Sequence, residues 1–261
     1  MKTVAIINLK GGVGKTMTAI HMADILASDY GQRVLLADCD GQGNLTAFFQ
    51  ADTECVTLAD ILAAQHEPYW IDNVQETGIP GVRLIPATSD LYGLDIAAIR
   101  RGSTSLGILR DFRDAVIEDG EEDWFIFDCP PGFTAASCAA LLAADFVVVP
   151  VLIDGFSTAG MTDLLEQIAS LRVVNPAIRV GGVLITQYRT SQAVQAGASL
   201  LRASAVPVYD TAIRRSERVP EMSFGHEPLR LFSPRSAACV DYRRWVAELL
   251  EKEGGITYGK V

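Results

Sequence analysis

The stretch of sequence that decides the fold reads Lys10-Gly11-Gly12-Val13-Gly14-Lys15-Thr16. A β-branched apolar run over Thr3–Asn8 precedes it, and a helical pattern over Thr16–Ser28 follows it. Glycines let the backbone N–H groups of such a loop turn inward around phosphates, and the N-terminus of the following helix favours an anion. In this context we expect Lys15 to reach the β- and γ-phosphates and the Thr16 hydroxyl to ligate Mg²⁺.

The loop departs from the usual phosphate-loop pattern in one place. That pattern has a glycine five residues before Gly14, but Leu9 stands there and is followed by a second lysine, Lys10. An exposed lysine on a flexible loop is the alternative interpretation of Lys10, and it is the weaker one because the surrounding motif is so fully met. The extra lysine is therefore a feature that the function has to explain.

Short β-branched runs alternate with longer helical patterns along the chain. The runs are Thr3–Asn8, Arg33–Asp38, Val82–Pro86, Trp124–Asp128, Phe146–Pro150, Val180–Thr186 and Val206–Val208. The helical patterns lie near Thr16–Ser28, Thr57–Ala64, Leu106–Glu118, Thr134–Ala143, Thr158–Val174, Ser191–Ala203, Arg214–Phe224 and Arg235–Glu251. This alternation predicts an α/β fold in which a mostly parallel, twisted sheet carries helices on both faces. The phosphate loop after its first strand indicates a P-loop NTPase domain. Such sheets bind ligands beyond the carboxyl ends of their strands.

The chain shows no linker, repeat or low-complexity segment. A single domain spanning residues 1–261, with the C-terminal helices at about 214–251 included, is the economical interpretation. No stretch approaches the roughly 18 apolar residues of a membrane span, and no signal peptide precedes the first strand. Five cysteines without paired spacing favour reduced thiols. We therefore expect a cytoplasmic protein.

The charge is unevenly distributed along the chain. The net charge of −10 argues against a protein that coats nucleic acid generally. Residues 1–178 hold 10 basic and 24 acidic residues, whereas residues 179–261 hold 12 basic and 8 acidic residues and have a net charge of +4. This asymmetry is either a chance fluctuation or the mark of a surface for a polyanion.

Carboxylates follow two further strands of the predicted sheet. Asp38 and Asp40 end the second run, and Asp128 ends the fourth run, directly before a Cys-Pro-Pro-Gly turn. A surface turn would also carry Asp and Gly, so position along the chain alone does not decide the role of Asp38 and Asp40. At the carboxyl edge of the sheet they would lie beside the phosphate loop, and Asp128 is placed to act on Mg²⁺ through water.

Three of these segments resemble signatures of the ParA/MinD superfamily of ATPases. Lys10–Thr16 resembles its deviant phosphate loop, Asp38–Asn44 resembles its first switch, D-x-D-P-Q-G-N, and Asp128–Gly132 resembles its second switch. Weaker likenesses in Ala143–Val151, Gly182–Tyr188 and Ile213–Glu221 extend the resemblance from Lys2 to about Leu250.

The resemblance implies a role for each motif residue, with ATP and Mg²⁺ as cofactors. Lys10 would cross a nucleotide-sandwich dimer to the partner's phosphates, as an arginine finger does. Asp40 would orient the attacking water, and Gly132 would sense the γ-phosphate. The implied catalytic residues are Lys10, Lys15 and Asp40. The implied nucleotide-binding residues are Lys10, Gly11, Gly12, Val13, Gly14, Lys15, Thr16 and Met17. The implied metal-side residues are Thr16, Asp38 and Asp128, the carboxylates acting through water. The implied switch residues are Asp38, Asp40, Gln42, Asp128, Pro130 and Gly132.

Three positions depart from the superfamily pattern. Met17 replaces the threonine that usually helps to hold the α-phosphate, so that contact falls to the backbone. Gly41 stands where proline is usual, which should loosen the first switch, and Leu9 replaces a glycine or glutamine. These changes affect the expected nucleotide affinity more than the reaction itself.

Among members of the superfamily, the sequence most resembles ParA/Soj-type partitioning ATPases. The polar, glycine-broken C-terminus lacks the basic amphipathic helix of a MinD-like membrane switch, and the stretch near residues 80–102 lacks the cysteine that a nitrogenase-type reductase needs. In the ParA/Soj group the ATP-bound dimer binds DNA non-specifically through C-terminal basic residues. The candidates here are Arg189, Arg214, Arg215, Arg218, Arg243 and Arg244. Arg214, Arg215 and Arg218 are favoured, because three arginines within five residues of one helical pattern can follow a phosphate backbone by charge alone. A solvated or salt-bridged helix face is the alternative interpretation of these arginines.

The function expected from the resemblance is an ATP-dependent dimerising switch for DNA partitioning, associated with the nucleoid and stimulated by a ParB-like, centromere-binding partner. A metabolic P-loop enzyme of the same fold, of the dethiobiotin synthetase type, is the competing class. A MinD-like positioning ATPase or a regulator with incidental hydrolysis are the remaining alternatives.

Overall fold

The computed structural model describes residues 1–63, 74–101, 107–154 and 157–254, leaving aside the side chains of residues 98–101 and 157–162. In chain order the elements are β1 Lys2–Ile6, α1 Lys15–Tyr30, β2 Val34–Asp38, α2 Asn44–Phe48, α3 Leu58–Leu62, β3 Gln75–Glu76, β4 Val82–Ile85, α4 Leu91–Arg101, α5 Ile108–Asp119, β5 Trp124–Asp128, α6 Ala135–Ala143, β6 Phe146–Leu152, α7 Ser157–Leu171, β7 Arg179–Tyr188, α8 Gln192–Arg202, β8 Val208–Arg214, α9 Arg218–Gly225, α10 Leu229–Phe232 and α11 Ala237–Lys252.

Eight strands form one sheet in the order β3-β4-β2-β5-β1-β6-β7-β8. The pairings are parallel except that of the short β3, which runs antiparallel to β4 at the edge. The central strands are buried along their whole length, as strands covered on both faces must be. The predicted α/β fold with a mostly parallel sheet is confirmed.

Helices pack against both faces of this sheet. Side chains such as Ala5 and Ile7 point into one apolar layer, formed with α3 to α8, whereas Val4 and Ile6 point into a second layer, formed with α1, α2 and the C-terminal helices. Alternate residues of a strand face opposite sides, so one short apolar strand supports both layers. The C-terminal helices therefore pack with α1 against the same sheet. That residues 1–261 form a single domain stays a prediction, and residues 255–261 lie outside the described residues.

The sequence was misread at the C-terminal edge of the sheet. The predicted strand Val206–Val208 and the predicted helix Arg214–Phe224 are both wrong in their bounds, because β8 runs from Val208 to Arg214 and α9 begins only at Arg218. Arg214 is held in the strand by a buried acceptor on α11, the carboxylate of Asp241. The helix α4 was not predicted at all, and the helix predicted to end at Ala64 ends at Leu62 in the described residues.

In the described part of the chain, no helix is both long and apolar enough to cross a lipid bilayer. The five cysteines are free thiols, and Cys39, Cys129 and Cys239 are buried.

Candidate nucleotide-binding site

The loop between β1 and α1 has the geometry of an anion cradle. Gly12 and Gly14 have φ angles of 72° and 89°, a left-handed conformation that residues with a Cβ rarely adopt. Gly14 is also the N-cap of α1 and supplies no side-chain acceptor, so the first N–H groups of this helix are open to a ligand. The Lys15 Nζ atom donates to the Lys10 carbonyl at 3.1 Å and thus folds back over the loop.

Neighbouring strands hold this loop in place. The Thr186 hydroxyl donates to the Val13 carbonyl at 2.7 Å, and Gln187 Nε2 donates to the Gly12 carbonyl at 2.8 Å. Gln187 has a φ of 50°, an uncommon conformation for a residue other than glycine and one that concentrates at functional sites. On the other side, Asn8 donates to the Pro150 carbonyl and accepts from the Lys10 backbone N–H. The loop shape is therefore set by β1, β6 and β7 together.

Two carboxylates meet at the carboxyl ends of β2 and β5. Asp38 and Asp128 are direct neighbours in the register of these strands, and both are buried. Asp38 accepts from the backbone N–H of Thr46 at 2.8 Å, from the hydroxyl of Thr46 at 2.7 Å and from the backbone N–H of Asp40 at 3.1 Å. The nearby Thr16 hydroxyl favours the charged form of Asp128 and opposes the rise of its pKa. Its Oδ1 atom is buried without a hydrogen-bond partner.

The electrostatics of the Asp38–Asp128 pair favour a bound cation. Burial raises the pKa of Asp38 to about 6, and burial together with the neighbouring Asp38 charge raises the pKa of Asp128. Burial also lowers the pKa of Lys15, against the opposing attraction of Asp128. Two adjacent buried carboxylates with an orphaned oxygen are the environment that a divalent ion would stabilise.

The donor set fits Mg²⁺ rather than an ion enclosed by protein ligands. Within residues 1–63, 74–101, 107–154 and 157–254, no group of three or more His, Cys, Asp or Glu side chains could hold a metal ion. Mg²⁺ usually keeps several waters and binds through one or two protein oxygens and the phosphates of its nucleotide. The Thr16 hydroxyl, beside the orphaned Asp128 oxygen, could provide these contacts.

Both predicted switch segments lie at this edge of the sheet. Asp40 accepts from the Gln42 backbone N–H at 3.0 Å, and both residues line a cavity of about 670 Å³ with the phosphate loop. Pro131 lines the same cavity, and Gly132 has a φ of 119°. The structure thus brings most of the predicted phosphate-loop residues, together with Asp40 and Gln42 of the first switch, to one cavity next to the Asp38–Asp128 pair.

Lys10 is the exception. Its ammonium group forms an ion pair with Asp154, which follows β6, and its side chain is 40% exposed. Within one chain, therefore, the second lysine is directed to the side of the phosphate loop. Neither side chain of this ion pair is buried, so the Lys10 ammonium group is accessible to another molecule.

A second cavity of about 300 Å³ adjoins the first. The two share Gly14, Met17, Gln187 and Ser223, and the second is also lined by Ile213, Val219 and Pro220. A polar cavity at the phosphate loop joined to a more apolar one suits the phosphates and the base of a nucleotide. Met17 lies at the junction of the two cavities.

The candidate DNA-binding arginines do not share one helix face. Arg214 ends β8 and binds both carboxylate oxygens of Asp241 at 2.8 Å. Arg215, Arg218 and Arg243 form ion pairs with acidic residues, Glu217, Glu221 and Asp29 respectively. Arg189 and Arg244 are exposed. The prediction that Arg214, Arg215 and Arg218 lie together on a helix is therefore wrong.

Comparison with known proteins places the chain in a family. A family model described as an AAA domain matches residues 1–180. The chromosome partitioning protein ParA of Caulobacter vibrioides is 36% identical over 259 residues, which cover 97% of this chain and 95% of that protein. This chain belongs to the ParA/Soj family of partitioning ATPases. The sporulation initiation inhibitor protein Soj of Bacillus subtilis is also similar, at 34% identity over 92% of this chain and 95% of that protein.

The fold of this ParA/Soj-family ATPase is also found with nucleotide bound. A crystal structure of cobyrinic acid a,c-diamide synthase from Mycobacterium smegmatis, with an ATP analogue and magnesium, matches it with a TM-score of 0.79 at 26% identity and covers 97% of this chain and 96% of that one. The protein is an ATP hydrolase that uses ATP and Mg²⁺, as the phosphate loop predicted.

Several residues of the site were absent from the sequence prediction. Gln187 and Thr186 anchor the loop, Thr46 holds Asp38, and Asp154 holds Lys10. Gln187 and Thr186 carried one usable signal, because they end an apolar strand of a parallel sheet. Thr46 and Asp154 carried none, because each acts on a residue of another element.

Proposed function

We propose that this ATPase is a nucleotide-switched dimer that partitions DNA. The observation that carries the proposal is the second lysine of the phosphate loop. Lys10 stands beside the phosphate cavity but is paired with an exposed carboxylate to one side of it, so a partner's nucleotide can recruit it. The near full-length similarity to ParA of Caulobacter vibrioides supports the partitioning role.

In this proposal each predicted residue acts on a nucleotide held in the two adjoining cavities. The Gly11–Gly14 backbone and Lys15 bind the phosphates, and the backbone of Met17 contacts the α-phosphate. Thr16 holds Mg²⁺, with Asp38 and Asp128 acting through its water shell. Asp40 orients the attacking water, and phosphoryl transfer asks for little beyond such positioning and charge stabilisation.

The switch is a shift of population between monomer and dimer. Lys10 of each subunit contacts the phosphates of the other, so the dimer is favoured only while the triphosphate is present. Gln42, Pro130 and Gly132 follow the γ-phosphate and change the subunit contacts after hydrolysis. A ParB-like partner accelerates that step and returns the protein to monomers.

DNA binding is the output of the dimer and would hold the protein on the nucleoid in the cytoplasm. Of the six candidate arginines, Arg189 and Arg244 are exposed, and Arg215 and Arg218 form ion pairs only with exposed acidic side chains. Such pairs are weak, so phosphates can replace the carboxylates at small cost. Arg243 pairs with Asp29, which is about one-third exposed, and is a poorer candidate. Arg214 is the poorest, because its partner is buried.

The test compares DNA affinity in ATP and in ADP across a salt series. The proposal expects ATP-dependent binding, with log K falling steeply as log[salt] rises. Arg215→Ala/Arg218→Ala should weaken binding at all DNA sequences and reduce the salt slope by roughly 1 for each phosphate that is no longer neutralised. Arg110→Ala, an exposed arginine on α5, is the matched control and should bind as wild type. Equal DNA binding with ATP and ADP would contradict the proposal.

A metabolic ATP-dependent enzyme is the second candidate. The match to a structure described as cobyrinic acid a,c-diamide synthase favours it. A further cavity of about 340 Å³, lined by Asp154, Arg189 and Arg215, is large enough for a small substrate. Steady-state hydrolysis separates the two candidates. A switch hydrolyses ATP slowly until DNA and a partner protein are added, whereas a metabolic enzyme responds to a small substrate and ignores DNA.

A further inference from the structure

The helix α4 makes one hydrogen bond to the first switch segment and another to the start of α6, the helix that follows the second switch segment. The hydroxyl of Tyr92, the second residue of α4, accepts from Gln42 Nε2 at 2.5 Å. Three residues later, Asp95 Oδ1 accepts from the backbone N–H of Ala135 at 2.7 Å. Ala135 begins α6, three residues after Gly132, the last residue of the second switch segment. Residues three apart lie on the same side of a helix, so one face of α4 contacts both the first switch and the helix that follows the second.

The ring of Tyr92 also explains the glycine in the first switch. A Cβ atom at Gly41 would lie 2.8 Å from Cζ of Tyr92 and 3.0 Å from each Cε atom, so the ring would have to shift from its place to admit a side chain there. Gly41 does not have a positive φ, so its backbone does not by itself require glycine. The aromatic ring fills the space that a side chain at this position would occupy. Where the superfamily pattern has proline, this chain therefore has a glycine covered by a tyrosine.

This packing governs the carboxylate assigned to the attacking water. Asp40 Oδ1 accepts from the Gln42 backbone N–H at 3.0 Å, and the Asp40 carbonyl accepts from Gly43 N–H at 2.8 Å. The direction of the Asp40 side chain thus depends on the path of Gly41 and Gln42, the two residues that Tyr92 contacts. A free glycine would leave that path open to many conformations.

We propose that Tyr92 is a positioning residue for ATP hydrolysis. Its ring on Gly41 and its hydroxyl on Gln42 fix the first switch, as the proline does in the superfamily pattern. Through Asp95 the same helix ties the first switch to the start of α6 and hence to the second. The inference rests on ATP hydrolysis at this site and on no property of DNA or of a partner protein.

The consequence is a selective effect on the chemical step. Tyr92 does not line the cavity that the phosphate loop lines, so ATP binding should be nearly unaffected when the ring is removed. Loss of a positioned catalytic group lowers kcat, whereas loss of uniform binding raises KM. A displacement of about 1 Å at a reacting centre is enough to cost up to about a hundredfold in rate.

The experiment is a double-mutant cycle on the full chain, with intrinsic ATP hydrolysis measured without DNA or partner. We expect Tyr92→Ala to lower kcat about tenfold with KM for ATP within about twofold of wild type. Tyr92→Phe keeps the ring over Gly41 and should recover most of kcat. Gly41→Ala should lower kcat in wild type but add nothing in the Tyr92→Ala background, because its methyl group then meets empty space.

Ile96→Ala is the control on the same helix. Ile96 is 52% exposed, and its variant should hydrolyse ATP as wild type does. Thermal unfolding of every variant checks that the fold is intact. Additive losses from Gly41→Ala and Tyr92→Ala would overturn the proposal, as would a raised KM at unchanged kcat. Because neither DNA nor partner is present, failure of the partitioning proposal would not alter this result.

Discussion

Among single residues, Arg214 is held by the protein itself rather than offered to a ligand. Its guanidinium and its backbone N–H both bind Asp241, a carboxylate that is only 5% exposed at the side chain. This ion pair raises the pKa of Arg214 still further above its ordinary value. Removing the charged partner of a buried carboxylate destabilises a protein far more than removing the partner of an exposed carboxylate.

We therefore expect Arg214→Ala to lower the free energy of unfolding by about 1–3 kcal/mol. Arg218→Ala, which breaks a pair between two half-exposed side chains, should change it by less than about 0.5 kcal/mol. Urea denaturation of both variants is the measurement. Equal stabilities of the two variants would contradict the structural role of Arg214, and a DNA-binding test on Arg214→Ala must be corrected for its lower stability.

Asp38 gives a pH dependence of known sign. Its pKa is about 6 in the folded protein against an ordinary value of 3.8, because burial disfavours the charged form. The folded state therefore holds this proton more strongly, and the contribution of Asp38 to stability declines as pH rises from about 4 to about 6, by on the order of 3 kcal/mol at most. Above pH 6 it is constant.

The measurement is the unfolding free energy of wild type and of Asp38→Asn, without nucleotide or metal, between pH 4 and pH 7. The free energy of unfolding of wild type minus that of Asp38→Asn should decrease as pH rises to about 6 and should then stay constant. A difference that does not change with pH would mean that Asp38 is ionised in the folded protein throughout this range.

At the scale of elements, His21 joins α1 to the C-terminal helices. Its ring stacks on Tyr242 of α11 with centroids 4.4 Å apart, and Nδ1 lies 2.6 Å from the Met17 carbonyl. Nε2 accepts from the backbone N–H of Leu229, the first residue of α10. A neutral ring with its proton on Nδ1 satisfies both contacts, and burial lowers its pKa from 6.5 to about 4.

We expect the contact of α1 with α10 and α11 to weaken as pH falls. A histidine whose pKa falls on folding stabilises the protein fully above pH 6.5 and loses that contribution as pH falls towards 4. His21→Phe keeps the stacking on Tyr242 but cannot titrate, so the stability difference between wild type and variant should shrink as pH falls. Thermal unfolding across this range measures it, and a constant difference would contradict the assignment.

The elements that the sequence predicted well are those with a local signal. The phosphate loop can be recognised by its glycines. The strands β1, β2, β5 and β6 are apolar runs, which are typical of strands covered on both faces of a sheet. The helix α4 was missed because Gly93 in its first turn weakens the pattern. The strand β8 was misread because three arginines within five residues suggested a helix face, while the buried partner of the first lies 27 residues further on.

The candidate site divides in the same way. The residues proposed to act on the nucleotide and its metal, from Lys10 and Lys15 to Asp128, belong to motifs and could be predicted from the sequence. Residues that hold those motifs were not, because Tyr92 meets Gln42 across 50 residues, Asp154 meets Lys10 across 144, and Gln187 meets Gly12 across 175. A single sequence does not indicate such contacts, since each depends on how the strands and helices pack in the folded protein.

At the scale of the whole molecule, the position of Lys10 connects structure and proposed function. The ion pair of Lys10 with Asp154 is partly exposed, and pairs of this kind contribute only about 0–1 kcal/mol. A partner's triphosphate, with its larger charge, can therefore draw the lysine away at little cost. In the monomer the charge of Lys10 would not reach its own phosphates, so efficient hydrolysis would require two copies.

The most direct test of this account is the molar mass of the protein in solution with ATP and Mg²⁺, measured by light scattering on Asp40→Ala, which should block hydrolysis. We expect a dimer in ATP and a monomer in ADP. Adding Lys10→Ala to that variant should leave a monomer that still binds ATP, whereas adding Lys15→Ala should abolish ATP binding itself. A protein that stays monomeric in saturating ATP and Mg²⁺, or that dimerises equally well without Lys10, would contradict the account.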